Sequence, residues 1–231
     1  MTETIHGVHF STQFPFYRAA ADSLALADFA PARGRIADLG CGAGLIGLLL
    51  CAKAPGCRVT GFDLAPEAVD EACENAAANG LDGRFSAVLC DLRELGRLPP
   101  AGSFHAAVSN PPYHPASGGR SPDALRDRAR CAAFLPPDAL CAAAGHLVRA
   151  GGDFSLVCPA RLLAVYFAAL ARAGFSPKRL RFIRHRAQSD ASLALISARR
   201  GGGAGLEILS DMIVTEPDGC ETAAWRAVCD R

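Results

Sequence analysis

From Arg35 onward the sequence alternates short β-like runs with helical patterns, and this alternation restricts the fold more than any other feature. Its first four segments are a strand, a helix, a strand and a helix at Arg35–Leu39, Leu45–Lys53, Arg58–Asp63 and Pro66–Asn79. Strands that alternate with helices form a mostly parallel sheet with helices on both faces. The sequence therefore predicts an α/β fold.

The rest of the chain continues the same pattern. We predict strands at 85–90, 104–109 and 154–158, helices at 138–148 and 161–173, and two further strands after them. Residues 1–34 are expected to form a helical lead-in with its helix at Ala19–Phe29, and residues 35–231 the main part of a single domain. The glycine-rich stretch 201–205 is predicted to be a hairpin connection.

Composition excludes several classes of protein. The ten cysteines include no C-x-x-C pair, so the sequence predicts no metal site and reduced thiols. No apolar run approaches the roughly 20 residues that cross a bilayer, and the first residues do not resemble a secretory signal. We therefore expect a cytoplasmic protein without a membrane partner.

Polar side chains stand at the ends of four successive predicted strands: Asp38, Asp63, Asp91 and Asn110. In an open parallel sheet the carboxyl ends of the strands form one rim, and ligands bind in the crevice beyond it. A single aspartate of this kind is most often a helix cap or a turn residue. Three of them at successive strand ends indicate a binding site.

The segment Asp38–Gly44 lies between a predicted strand and a predicted helix and contains glycines at 40, 42 and 44. Glycines permit a tight turn there and let a ligand approach the backbone. Their spacing differs from the dinucleotide pattern G-x-G-x-x-G. Asp63 is placed to accept hydrogen bonds from the ribose hydroxyls of an adenosine, and Asp91 is placed to accept one from the adenine amino group. The candidate cofactor residues are Asp38, Gly40, Cys41, Gly42, Gly44, Asp63, Leu64, Asp91, Leu92 and Asn110.

The motif Asn110-Pro111-Pro112-Tyr113 follows the fourth predicted strand and supplies the candidate catalytic residues. Two prolines make a stiff turn with free carbonyls. An amino group on an aromatic ring is a poor nucleophile, because its lone pair is delocalised. The oxygen of Asn110 and the carbonyl of Pro111 can orient such a group and stabilise its growing positive charge, while Tyr113 stacks on the ring.

The pattern D-x-G-x-G-x-G followed by an acidic second strand end resembles that of the Rossmann-like class I methyltransferases. The resemblance extends over nearly the whole chain and implies S-adenosylmethionine as cofactor. It further implies a mostly parallel seven-stranded sheet that ends in a C-terminal antiparallel hairpin. By this resemblance Asp38 and the glycines hold the methionine portion, Asp63 the ribose and Asp91 the adenine.

The NPPY motif is common to enzymes that methylate adenine N6 in DNA or RNA and to enzymes that methylate glutamine in release factors. The glutamine enzymes usually have a helical domain before this fold, whereas only 34 residues precede Arg35. DNA enzymes usually add a target-recognition domain, for which the chain has no room, so we expect no DNA substrate. The chain resembles the bacterial family that methylates the adenine next to the anticodon of valine tRNA, through Asp22-Ser23, Asn110–His114, Arg161-Leu162 and 175–219. It departs from that family at Cys131-Ala132-Ala133. Ribosomal RNA, a release-factor glutamine and a non-catalytic cofactor- or RNA-binding module remain alternatives.

The second half of the chain is more basic than the first. Residues 1–110 contain 8 Lys and Arg against 12 Asp and Glu, whereas residues 111–231 contain 16 against 11. Clusters of Lys and Arg side chains attract a phosphate backbone. The alternative is that these side chains are the solvent-exposed charges of an edge strand. The candidate RNA-binding residues are Lys178, Arg179, Arg181 and Arg184 together with Arg128. The expected partner is tRNA.

Overall fold

The computed structural model describes residues 2–13, 21–111 and 135–229. Its strands and helices follow the chain in the order β1 (Thr2–Ile5), β2 (Val8–Ser11), α1 (Ala21–Phe29), β3 (Arg35–Leu39), α2 (Leu45–Lys53), β4 (Arg58–Asp63), α3 (Pro66–Ala78), β5 (Phe85–Leu89), β6 (Phe104–Ser109), α4 (Pro137–Leu147), β7 (Val148–Pro159), α5 (Leu163–Arg172), β8 (Phe175–Arg184), β9 (Ala191–Arg200), β10 (Glu207–Ile208), β11 (Met212–Ile213) and α6 (Ala223–Val228). The predicted bounds of β3, α2, β4 and β6 agree with these residue for residue.

Seven strands form the centre of the sheet in the order β5-β4-β3-β6-β7-β9-β8. The five strands from β5 to β7 are parallel to their neighbours, and β9 is antiparallel to both β7 and β8. The predicted α/β class, the mostly parallel sheet and the C-terminal antiparallel hairpin are confirmed. Because β9 is antiparallel to both β7 and β8, β8 runs in the same direction as β7. The carboxyl end of β8 therefore lies at the same rim as those of β3, β4 and β6.

Two short strands extend the sheet beyond the predicted seven. β10 and β11 have two residues each and both pair with the outer edge of β8 in parallel. The prediction that residues 201–205 connect a hairpin is therefore wrong. Both edges of β9 are already occupied by β7 and β8, so the glycine-rich loop carries the chain past β8 instead of back along β9. Lys178 Nζ donates to the carbonyls of Gly203, Ala204 and Gly205 in this loop.

Each face of the sheet is covered by helices. One buried cluster joins α1, α2 and α6 to the sheet through residues such as Leu24, Leu48 and Trp225. The other joins α4 and α5 to the opposite face through residues such as Leu147 and Leu170. The apolar strand residues are buried between these layers, as parallel strands of a doubly covered sheet should be. Helices on both faces are thus confirmed.

The first residues contain a β-hairpin where the sequence analysis expected only a helical lead-in. β1 and β2 are antiparallel, and the turn between them has positive φ at His6 and Gly7. Along β2 buried and exposed residues alternate, which is the period of a half-buried strand. His6 Nε2 donates to the carbonyl of Val228 in α6 at 2.9 Å. The predicted helix is present from Ala21 onward, and residues 14–20 lie outside the described residues.

Candidate active site

The sheet brings all four predicted polar strand ends to one rim. The register places Asp38 of β3 beside Gly61 of β4 and Val108 of β6, so the chain leaves all three strands at neighbouring points. Asp63 is the last residue of β4, and Asn110 follows the last residue of β6. Asp91 follows β5, one strand further along the rim.

The conformation of the loop after β3 depends on its glycines and on hydrogen bonds to β4. Gly40 has φ +74° and Gly44 has φ +88°, values that favour glycine. The amides of Gly40 and Cys41 both donate to the carbonyl of Phe62 in β4, at 2.8 and 3.1 Å. A Cβ on Gly44 would come within 3.0 Å of Phe85, whereas a Cβ on Gly40 would meet nothing within 4 Å. The loop therefore packs against the protein at Gly44 and faces open space at Gly40.

Asp38 is completely buried at the base of this loop. Its Oδ2 accepts a hydrogen bond from the amide of Gly47 at 3.1 Å, while its Oδ1 is buried without a partner among the described residues. Burial raises the pKa of the Asp38 carboxyl to about 7, against the lowering effect of the Gly47 amide, and the nearby charge of Asp63 raises it further. A buried carboxylate with an unused acceptor fits a ligand that carries a cationic group.

Asp63 links the loop to β4. Its Oδ2 accepts from the amide of Gly42 at 2.8 Å and its Oδ1 from the amide of Ala65 at 3.0 Å. Burial raises the pKa of this carboxyl, and the two amides partly oppose that effect. The side chain is thereby fixed next to the glycine loop, as the sequence prediction requires.

Asp91 differs from the other two carboxylates, because Arg93 binds both of its oxygens. The Arg93 Nε lies 2.8 and 3.0 Å from them, and the guanidinium lowers the pKa of Asp91. Next to it Leu92 is buried, while Leu64 is 36% exposed. Cys41 is buried against Gly61, and burial raises the pKa of its thiol, so the side chain is a neutral packing group.

Asn110 is held by α1. Its Nδ2 donates to the hydroxyl of Ser23 at 2.8 Å, and the preceding Ser109 donates through its own hydroxyl to the carbonyl of Leu39 at 2.7 Å. Pro111 is buried. Pro112 and Tyr113, which complete the predicted motif, lie outside the described residues. The pair Asp22-Ser23 is part of the family resemblance, but no local pattern in the sequence predicts that Ser23 binds Asn110.

Most of the predicted RNA-binding side chains have partners within the chain. Lys178 binds the glycine-rich loop, Arg179 lies 4.7 Å from the ring centroid of Phe29, and Arg184 pairs with Asp211 at 2.5 Å. Arg181 has a buried Nε without a partner among the described residues. Arg128 lies outside the described residues. The positive charge of β8 is thus partly used by the fold itself.

The described ranges contain neither a cluster of three or more His, Cys, Asp or Glu side chains that could bind a metal ion nor a helix long and apolar enough to cross a membrane. The nine cysteines within those ranges are free thiols.

The sequence is similar to a known protein family and to named bacterial proteins. Residues 20–164 match the methyltransferase small domain family. Over 91% of this chain and 85% of its own length, a protein of Dickeya chrysanthemi named tRNA1(Val) (adenine(37)-N6)-methyltransferase is 30% identical. A protein of the same name from Tolumonas auensis is 30% identical over 79% of this chain and 77% of its own length. These relatives confirm the predicted family resemblance.

Among solved structures, a predicted O-methyltransferase from Agrobacterium tumefaciens superposes with a TM-score of 0.72 at 23% identity. It covers 90% of this chain and 94% of its own, and it supports the class I methyltransferase fold. The loop at Gly40 and the unused acceptor of Asp38 fit the predicted S-adenosylmethionine cofactor. The predicted methyltransferase class and its cofactor are confirmed, and this chain belongs to the methyltransferase small domain family.

Proposed function

We propose that this chain transfers a methyl group from S-adenosylmethionine to N6 of an adenine in the anticodon loop of a tRNA. The observation that carries the proposal is the position of Asn110, fixed by Ser23 at the end of β6 and two strands from Asp63. The names of the two bacterial relatives support an adenine of tRNA as the substrate. An anticodon loop suits a rim of this kind, because its unstacked bases can enter a pocket.

The cofactor, when bound, supplies an electrophilic methyl group on a sulfonium. The protein's task is to orient the adenine amino group. The amide oxygen of Asn110 and the carbonyl of Pro111 each accept one hydrogen bond from that group and stabilise the positive charge that grows on it. Ser23 accepts from Nδ2 of Asn110, and the amide oxygen is the atom that accepts from the adenine amino group in this proposal. Tyr113 stacks on the base in this proposal.

For the cofactor we propose the contacts that the family resemblance implies. The loop from Gly40 to Gly44 and Asp38 hold the methionine portion, Asp63 binds the ribose and Asp91 lies near the adenine. Asp38 is supported by its burial, and Asp63 by the two backbone amides that fix its orientation. The role proposed for Asp91 requires its carboxylate to bind the adenine amino group although Arg93 already binds that carboxylate.

We propose that the RNA contacts the basic residues of β8 together with Arg128. Most of these contacts would lie at the rim formed by the carboxyl ends of the strands. Leu193 of β9 pairs with both Pro159 of β7 and Ile183 of β8, so the residues after β7 and β8 leave the sheet at the same level. Arg161 and Arg186 follow these strand ends, are exposed and have no ion-pair partner within the described ranges. Unpaired exposed cations are the groups a phosphate backbone attracts. Because its substrate is tRNA, we place the protein in the cytoplasm.

Methyl transfer from labelled cofactor to total tRNA, ribosomal RNA and release-factor protein tests the proposal. Label recovered as N6-methyladenine from tRNA, and lost with Asn110→Ala, is the expected result. Label on ribosomal RNA or on protein glutamine would keep the chemistry and overturn the substrate. No transfer to any of the three, by a protein that still binds S-adenosylhomocysteine, would favour a binding module.

A further inference from the structure

One face of α3 holds the N-terminal hairpin through side chains. Glu71, Asn75 and Asn79 are spaced four residues apart and therefore lie on the same side of the helix. The amide of Gln13 donates to Glu71, and the amide of His9 donates to Asn79, both at 2.7 Å. The three side chains act on the hairpin as a neighbouring strand would.

Asn75 makes one contact that Glu71 and Asn79 do not make. Its Oδ1 accepts from the amide of Ser11 at 2.9 Å, and its Nδ2 donates to the carbonyl of Ser11 at 2.8 Å. The second N–H of the same Nδ2 donates to the carbonyl of Ala43 at 3.0 Å. Asn75 is 3% exposed, so water does not replace these bonds. The side chain joins the hairpin to the cofactor loop.

Ala43 occupies the middle of the segment that the cofactor must approach. The residue before it, Gly42, is held by Asp63, and the residue after it, Gly44, would touch Ala72 of α3 if it carried a Cβ. The bond from Asn75 fixes the peptide between these two anchors. Loss of that bond leaves a buried carbonyl without a partner and frees the loop to change its course.

We propose that Asn75 is a positioning residue for the cofactor: it sets the loop at Ala43 and makes the shape of that loop depend on the docked hairpin. The residue is not expected to touch the reacting atoms. The inference concerns the cofactor loop alone, so it holds or fails independently of which RNA or protein is methylated.

Asn79, which directly follows α3 and is half-exposed, offers a control on the same side of the helix. Like Asn75 it both accepts from and donates to the backbone of one hairpin residue, His9, but its other donation goes to the carbonyl of Asn75 within α3. If Asn75 only secures the hairpin, Asn75→Ala and Asn79→Ala should behave alike. If it positions the loop, only Asn75→Ala should weaken cofactor binding.

Calorimetric titration with S-adenosylhomocysteine separates these outcomes. We expect Asn75→Ala to weaken binding about tenfold, as the loss of one buried hydrogen bond predicts, and Asn79→Ala to weaken it less than about twofold. In turnover assays the KM for the cofactor should rise with Asn75→Ala while kcat at saturation stays within about twofold. Equal losses in both variants, or none in Asn75→Ala, would overturn the proposal.

Hydrogen exchange on the unaltered protein tests the same coupling without a variant, should Asn75→Ala fail to fold. Binding of S-adenosylhomocysteine should slow exchange at the amide of Ser11, which bonds to Asn75, more than at the amide of His9, which bonds to Asn79. Equal or absent protection at these two amides would show that the hairpin does not sense the cofactor loop.

Discussion

The charged side chains of β3 and β4 differ from those of β8 in the partners that the fold gives them. At β3 the carboxylate of Asp38 is buried and keeps an acceptor without a partner among the described residues, and at β4 the half-buried Asp63 accepts from backbone amides. At β8 the cations of Lys178 and Arg184 are bound by carbonyls and a carboxylate of the same chain. A buried group with unmet bonding capacity costs stability, so it marks the place where a ligand compensates that cost. Surface cations that the fold already binds mark no such place.

The largest expected effect lies at Asn110, between the two sides. Asn110→Ala should lower the rate of methyl transfer by about 100-fold or more, because an acceptor that orients the amino group and stabilises its charge is lost. Affinity for S-adenosylhomocysteine should change by less than about threefold. Single-turnover rates and calorimetry measure the two quantities. A large loss of affinity instead would move Asn110 to the cofactor side of the comparison.

Replacing the two half-buried carboxylates compares Asp63, which is bound by backbone amides, with Asp91, which is bound by an arginine. Asp63→Ala should weaken S-adenosylhomocysteine binding by roughly 30-fold or more, since hydrogen bonds to a charged group contribute about 1.5–3 kcal/mol. Asp91→Ala should weaken it by less than about tenfold, because Arg93 already binds this carboxylate. Calorimetric titration of both variants gives the ratio. An equal loss for the two would show that the pairing with Arg93 does not reduce the contribution of Asp91.

The protonation of Asp38 should make cofactor binding depend on pH. In the folded protein its pKa is raised to about 7, so its contribution to the free energy of unfolding is present at acidic pH and is lost as pH rises toward 7. A cationic ligand group favours the charged carboxylate, so S-adenosylhomocysteine affinity should increase up to about tenfold between about pH 6 and pH 8.

The same titration in Asp38→Asn supplies the control for this pH effect. The amide does not ionise, so the rise in affinity between these pH values should disappear even if binding is weaker overall. Persistence of the rise in the variant would assign it to another group, and Asp63, whose charge acts on Asp38, would be the next to replace.

The smallest effects are expected among the arginines of β8 and its rim. Arg186→Ala should weaken tRNA binding by about two- to fourfold and reduce the dependence on salt by about one phosphate contact. Arg184→Ala should mainly lower the free energy of unfolding, by about 1 kcal/mol or less, because its half-exposed pair with Asp211 is lost. Filter binding across salt concentrations and thermal denaturation separate the two. A greater loss of tRNA binding with Arg184→Ala than with Arg186→Ala would make β8 itself the interface.

The elements at the centre of the sheet could be predicted from sequence because each carries its own pattern. β3, α2 and β4 have apolar runs bounded by glycine, proline or aspartate, and these local signals determine their bounds. The hairpin β1–β2 could not be predicted in this way. Its backbone is held by side chains of Asn75 and Asn79, more than sixty residues later, and no local pattern announces such partners.

The candidate site shows the same division. The aspartates and Asn110 could be placed at the rim because strand ends and parallel topology determine where they lie. Their individual environments could not be predicted, because Asn110 is bound by Ser23 of α1, 87 residues earlier, and the open acceptor of Asp38 depends on complete burial. The partners of Lys178 and Arg184 lie in loops that follow β9, so composition alone overstated the charge that β8 offers to RNA.

The hydrogen bond between His6 and the carbonyl of Val228 joins the turn of the N-terminal hairpin to α6. The hairpin is thus attached at its turn to α6 and along β2 to the side chains of Asn75 and Asn79. Loosening of α6 is therefore expected to loosen the hairpin as well, although the two bonded residues are 222 positions apart in sequence.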